Sequence, residues 1–217
     1  MDILLTLVDF ILHLDAHIAE LIDSYGAWTY AILCLIVFVE TGLVVMPFLP
    51  GDSLLFVAGA FAARGQFDLT TLVVSLVAAA VLGNTSNYWI GRALGPKVFG
   101  WENSRFFNRA AFDKTHAFYE RHGAVTLIVT RFLPFMRTFS PFVAGVAAMT
   151  HARFQFFNIA GGLAWVVSLC VAGYWFGNIT WIREHLTMVI LALIIIPALP
   201  TALVAGREWL AARRRAA

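Results

Sequence analysis

The chain has 217 residues, of which 60% are hydrophobic and 13% carry a formal charge. A soluble domain of this size carries charge on about a quarter of its residues, so the composition excludes a soluble globular protein and describes an all-α integral membrane protein. The formal net charge of +2 marks no nucleic-acid partner, and the terminal Arg213-Arg214-Arg215 reads more simply as a topology signal.

Asp2 and Asp9 stand where a secretory signal would carry basic residues, so no signal peptide is expected. Residues 1–25 read as an amphipathic helix. Asp2, Thr6, Asp9, His13, His17, Glu20 and Ser24 recur at steps of three or four among Leu, Ile, Val and Phe. The acids of this stretch argue for a helix lying in the membrane interface rather than across it. His13 and His17 have metal-ligand spacing, but amphipathic helices supply that spacing freely, and a solvated polar face is the preferred reading. No metal or cofactor is expected.

Residues 26–92 form a first unit. Within it, 28–46 is long enough to span but contains Glu40, and it runs into Pro47-Phe48-Leu49-Pro50-Gly51-Asp52. A continuous helix does not tolerate those prolines. The apolar stretch from Ser53 to Ala63 is only about half a membrane thick, so 28–63 is read as a re-entrant hairpin with Pro47, Pro50 and Gly51 at its tip. Backbone breaks at that depth need protein or a wet cavity around them. Residues 69–91 are a full span ending in the interfacial Tyr88-Trp89.

Residues 93–121 turn basic and aromatic and read as a cytoplasmic, surface-lying amphipathic segment. A second unit, 122–178, repeats the first. Its hairpin, 124–150, breaks at Arg131-Phe132-Leu133-Pro134 and carries Arg137-Thr138 just beyond, and its span is 154–177. A last span covers 186–206 and a basic tail 207–217. Cys34 and Cys170 lie in apolar segments and read as small buried hydrophobes, not a disulfide. Trp89, Trp165, Trp175, Phe154, Phe156 and Phe157 read as interface anchors or packing residues.

The halves match each other. Phe56-Val57-Ala58-Gly59 recurs as Phe142-Val143-Ala144-Gly145, and Tyr88-Trp89-Ile90-Gly91 as Tyr174-Trp175-Phe176-Gly177 at the same offset. The first Lys or Arg is Arg64, whereas basic residues crowd 92–121 and follow 206. The positive-inside rule then places the N-terminus outside and the C-terminus in the cytoplasm. The two hairpins enter from opposite faces. Such an inverted repeat is a transporter plan whose site lies near the midplane.

Glu40, Asp52, Arg131 and Arg137 all lie in segments read as membrane-embedded, where a charge costs about 2.5–3.5 kcal/mol even on a mild scale. Guanidinium forks suit phosphate or carboxylate, and desolvated acids can be neutralised by protonation. Arg131, Arg137 and Thr138 are therefore the candidate binding residues for an anionic lipid phosphate head group. Glu40 and Asp52 are the candidates for proton or cation coupling. Two buried ion pairs that merely pin the hairpins together are the competing reading. An intramembrane phosphatase is a third, although no Ser or Cys is paired with a His in the sequence pattern; the expectation is a non-enzyme.

Glu40-Thr41-Gly42, Pro47 to Ser53, Arg131-Phe132-Leu133-Pro134, Arg137-Thr138 and the Phe-Val-Ala-Gly elements resemble the bacterial DedA family, nearly end to end. Its membrane domain is shared with autophagy-related lipid scramblases. The resemblance implies an inner-membrane protein with opposed re-entrant hairpins, tied to envelope homeostasis, proton motive force and recycling of undecaprenyl phosphate. Glu40, Asp52, Arg131 and Arg137 match the family's required acids and arginines. Asn84 departs from it, standing where close relatives often carry Asp, which leaves it as polar support and puts ion coupling through that position in question.

Overall fold

The computed structural model describes residues 14–43, 51–95, 123–133 and 136–181, with 113, 119, 121, 188, 189, 191 and 192 as isolated positions. The prolines expected at the hairpin tips (Pro47, Pro50 and Pro134), most of the segment 93–121, most of the last span and the basic tail lie outside these residues.

Every described element is helical. The helices are α1 (Leu14–Tyr25), α2 (Trp28–Gly42), α3 (Gly51–Ala63), α4 (Leu69–Leu94), α5 (Gly123–Phe132), α6 (Met136–Val146) and α7 (His151–Gly177). Two of them, α4 and α7, are apolar and long enough to cross a membrane. At 1.5 Å per residue each reaches about 40 Å, against a hydrocarbon core of about 30 Å. Both overrun the expected spans by one turn. Helix α4 continues to Leu94 and stops at Gly95, which adopts φ +54°. Helix α7 starts at His151, after Thr150 in extended conformation.

Asp68 caps α4. Its carboxylate accepts from the Thr71 hydroxyl and amide, both at 2.7 Å, which holds it below the usual carboxylate range. The Asp68 amide donates to the Tyr30 hydroxyl at 2.8 Å, tying the start of α4 to α2.

The short helices sort themselves onto the long ones crosswise. Helix α2 packs chiefly on α4, but α3 leaves its sequence neighbour and packs on α7. Reciprocally, α5 packs on α7 while α6 packs on α4. Nearly every residue of α3 from Gly51 to Ala62 is buried, as expected of a helix apolar all round. Small residues permit this. A Cβ at Gly59 would run into the carbonyl of Cys170, and one at Gly145 into the carbonyl of Tyr88. Gly173 meets the Phe56 carbonyl as Gly91 meets that of Phe142.

These contacts correct the register of the internal match. By equivalent contact Gly173, not Gly177, is the counterpart of Gly91, and Cys170 takes the place of Tyr88. The sequence match is thus displaced by one helical turn, because glycine stands at both 173 and 177, one turn apart. Gly177 packs instead on Ala60.

Helices α3 and α6 also end alike. In each, two backbone N–H groups fold back onto the last turn: Gln66 to Phe61 and Gly65 to Ala62, then Met149 to Ala144 and Ala148 to Gly145. This is a Schellman cap, which needs a left-handed residue. Gly65 supplies it at φ +79°, whereas Ala148 adopts φ 55°.

Two outcomes follow for stability. Ala148→Gly relieves left-handed strain and should raise unfolding stability by about 1 kcal/mol, read from thermal unfolding in detergent. Gly145→Leu or Gly59→Leu must push two helices apart and should cost about 1–3 kcal/mol or more, while Leu82→Phe, on an exposed face, should change little in the same assay.

Candidate functional site

Four short helices bring their ends to one place between α4 and α7. The last turn of α2 contributes Glu40 and Thr41, and the first turn of α3 contributes Gly51 and Asp52. The last turn of α5 carries Arg131, and the first turn of α6 carries Arg137 and Thr138. Helix ends are suited to this role because their unpaired N–H and C=O groups interact with nearby charge.

Arg137 is the junction. Its Nη2 donates to Glu40 Oε1 in a close ion pair, and its Nη1 donates to Asp52 Oδ1 at 2.8 Å. One cation from α6 thus holds an acid from each of α2 and α3. Arg137 needs both, because the N-terminal end of α6 repels a cation. Pro141 lies within α6 and, lacking an N–H, leaves the Arg137 carbonyl without its helical donor. The Glu40 carboxylate packs against Gly51, where a Cβ would overlap it. Its Oε2 is buried with no hydrogen-bond partner among the described residues.

Arg131 is placed differently. It is 4% exposed, and among the described residues no carboxylate lies within ion-pair distance. Nη2 donates to Asn158, at 2.7 Å to Oδ1 and 3.2 Å to the carbonyl, and Nε is buried without a partner. Gly161 and Gly162 of α7 leave room for the guanidinium against the helix backbone. The two ion pairs of the competing reading are present, but both are made by Arg137, and Arg131 takes part in neither.

Trp165, read from sequence as an anchor or packing residue, is buried at the centre. Its indole N–H donates to Asp52 Oδ1 at 2.8 Å, and its ring lies 5.9 Å from the Arg131 guanidinium carbon and 5.6 Å from that of Arg137. Those distances suit cation–π attraction. Asn87 is fully buried on α4 and donates to the carbonyls of Thr41 at 3.2 Å and Thr138 at 2.9 Å, holding the ends of α2 and α6 side by side. Asn158 accepts from Asn84 at 3.1 Å and donates to the Val81 carbonyl at 3.1 Å, joining α7 to α4. Asn84 acts here as a neutral donor, which an ionised Asp could not do. The usable signal for Asn87 and Asn158 was their polarity inside apolar helices, the same cost argument that singles out the charges.

Glu40, Thr41, Asn84, Arg131, Arg137, Thr138 and Trp165 line a narrow, partly open cleft of about 10 Å³. That is room for about one water molecule, so a head group requires the cleft to widen. Asp52, through its bonds to Arg137 and Trp165, stands at the edge of this cleft. Among the described residues, no group of three or more His, Cys, Asp or Glu side chains is placed to hold a metal.

Comparison with known proteins is consistent across the chain. The VTT domain family matches residues 49–175. The chain is 50% identical to Protein DedA of Escherichia coli (strain K12) over 218 residues, covering all of both chains. It is 44% identical to an uncharacterized membrane protein of Mycobacterium leprae (strain TN), over 83% of this chain and 81% of that one. It is 36% identical to the inner membrane protein YghB of Escherichia coli (strain K12), over 95% and 92% of the two chains. No solved structure matches.

Trp165→Phe keeps the ring beside both guanidiniums and removes the hydrogen bond to Asp52. It should lower stability by about 1–2 kcal/mol, measured by thermal unfolding in detergent. Trp165→Leu, which also removes the aromatic face, should cost more.

Proposed function

The chain belongs to the DedA family of VTT-domain membrane proteins, and we propose that it carries a phosphate-bearing lipid across the bacterial inner membrane. Undecaprenyl phosphate is the lipid to which the family resemblance points. The observation that carries the proposal is the meeting of two guanidiniums and two carboxylates in one buried cleft, with one guanidinium lacking an acid among the described residues. Buried charges assembled only for stability are better replaced by apolar residues. A head-group phosphate supplies the missing counter-charge.

In this reading α2–α3 and α5–α6 are re-entrant hairpins of an inverted repeat. The crosswise packing of α3 on α7 and α6 on α4 supports it, as does the reciprocal placing of glycines against carbonyls. The distribution of Lys and Arg supports an outside N-terminus and a cytoplasmic C-terminus. Movement of one hairpin pair against the other exposes the cleft to either face, with Arg131, Arg137 and Thr138 facing the head group.

Charge balance gives the coupling. With both acids ionised the empty site is neutral overall. Loading a singly charged phosphate leaves one excess negative charge, and one proton restores neutrality. Glu40 is the acid with a carboxylate oxygen left without a hydrogen-bond partner among the described residues, and it takes that proton. Loaded and empty sites then carry the same net charge, so it is the pH difference that drives the cycle, at about 1.4 kcal/mol per proton per pH unit.

A structural or assembly role is the second reading, favoured by the complete pairing of Arg137 with Glu40 and Asp52. It predicts that the swapped pair Glu40→Arg with Arg137→Glu restores function, whereas a carrier with the same swap stays inactive. A lipid phosphatase would release phosphate from the lipid, which a carrier does not.

In proteoliposomes, the purified protein should move a lipid phosphate between leaflets faster under a proton gradient. Arg131→Ala should reduce the rate at least about tenfold, the loss expected for one charged contact of about 1.4 kcal/mol. Glu40→Gln should remove the dependence on the gradient. Lipid movement indifferent to both substitutions would contradict the proposal.

A further inference from the structure

The two arginines of the cleft have unequal surroundings. Arg137 is held by Glu40 and Asp52, so its charge is more than matched before any ligand arrives. Arg131 is 4% exposed and touches only neutral partners among the described residues: the side chain and carbonyl of Asn158 and the face of Trp165. Its Nε is buried and unpartnered. The C-terminal end of α5, where Arg131 sits, supplies only a fraction of a negative charge.

From this inequality we infer that Arg131 is the residue that takes the phosphate monoester, and that Arg137 is a positioning residue whose partners stay in place when the head group binds. The inference rests on the lipid-phosphate reading and divides its site into two parts. Arg131 lines the cleft together with Thr138 and Asn84, groups that can hydrogen-bond the remaining phosphate oxygens. A phosphate there forms the charge-assisted, forked contact that guanidinium favours. The Glu40–Arg137–Asp52 group lies across the same cleft and disfavours an anion on Arg137, since two carboxylates already more than match its charge. Asn158 fixes the Arg131 guanidinium from behind through Oδ1, and Asn84 donates to the same oxygen.

The division gives the two substitutions opposite effects on the empty protein. Removing Arg131 deletes a buried charge that has no counter-ion among the described residues. Removing Arg137 leaves two carboxylates without a cation. Replacing an uncompensated charge is neutral or stabilising, and breaking a buried pair is strongly destabilising.

The test is thermal unfolding of the full-length protein in detergent, alone, with inorganic phosphate against chloride at equal ionic strength, and in mixed micelles containing phosphatidic acid against phosphatidylcholine. For the wild type, Tm should rise with phosphate, with phosphatidic acid, or with both; the arm that responds identifies the free ion or the lipid head group as the source. Arg131→Met should keep or raise the ligand-free Tm and lose the shift. Arg131→Gln should do the same and Arg131→Lys should keep a reduced shift. Arg137→Met should lower the ligand-free Tm by about 5 °C or more. The inference is overturned if the wild type shows no shift in either arm, if the shift survives Arg131→Met, or if Arg131→Met and Arg131→Gln unfold as early as Arg137→Met. The readout needs no lipid movement, so a failed transport assay leaves it standing, and a shift that survives without Arg131 overturns it without touching transport.

Discussion

A single guanidinium joins the parts of this molecule that sequence separates. Arg137 at the start of α6 binds Glu40 at the end of α2 and Asp52 at the start of α3. None of these positions could hold its charge alone away from water. Glu40 has a carboxylate oxygen with no hydrogen-bond partner among the described residues, and Arg137 sits at a helix end of the wrong polarity. Each is tolerable only because the others are there. The constraint therefore fixes where α2, α3 and α6 end, and it explains why short helices stop inside an apolar structure. Asn87 reinforces the same junction through the carbonyls of Thr41 and Thr138, and Trp165 closes it from α7.

Around that junction, packing is arranged crosswise. Because α3 rests on α7 and α6 on α4, neither half buries its own short helices alone. The close approaches at Gly59 and Gly145 make those contacts backbone to side-chain-free backbone, which packs tightly without a hydrophobic driving force from lipid.

Much of this was legible in the chain. The expense of burying charge singled out Glu40, Asp52, Arg131 and Arg137, and all four converge on the site between α4 and α7. The breaks before Gly51 and after Arg131 marked the ends of half-length helices. What sequence did not disclose was the pairing: two acids and two arginines are compatible with one partner each, and only three-dimensional placement shows that Arg137 holds both. Trp165 is packed in the core, as one of its sequence readings had it, but its bond to Asp52 was not legible, because an indole in an apolar helix serves an interface, a core or a site equally well. Asn87 and Asn158 passed unremarked because most of their partners are backbone carbonyls or side chains 27 to 77 positions away. The one-turn displacement of the internal match arose because α7 repeats its small residues each turn, so letter matching could not choose the contacting glycine.

The most direct measurement of the central claim is a density map of the protein in nanodiscs containing a lipid phosphate monoester, at a resolution that shows side chains. The account expects the phosphate in the cleft on Arg131, with Arg137 still bound to Glu40 and Asp52. A head group bound through Arg137 with the two carboxylates displaced, or an empty cleft beside lipid phosphate bound elsewhere, would contradict it.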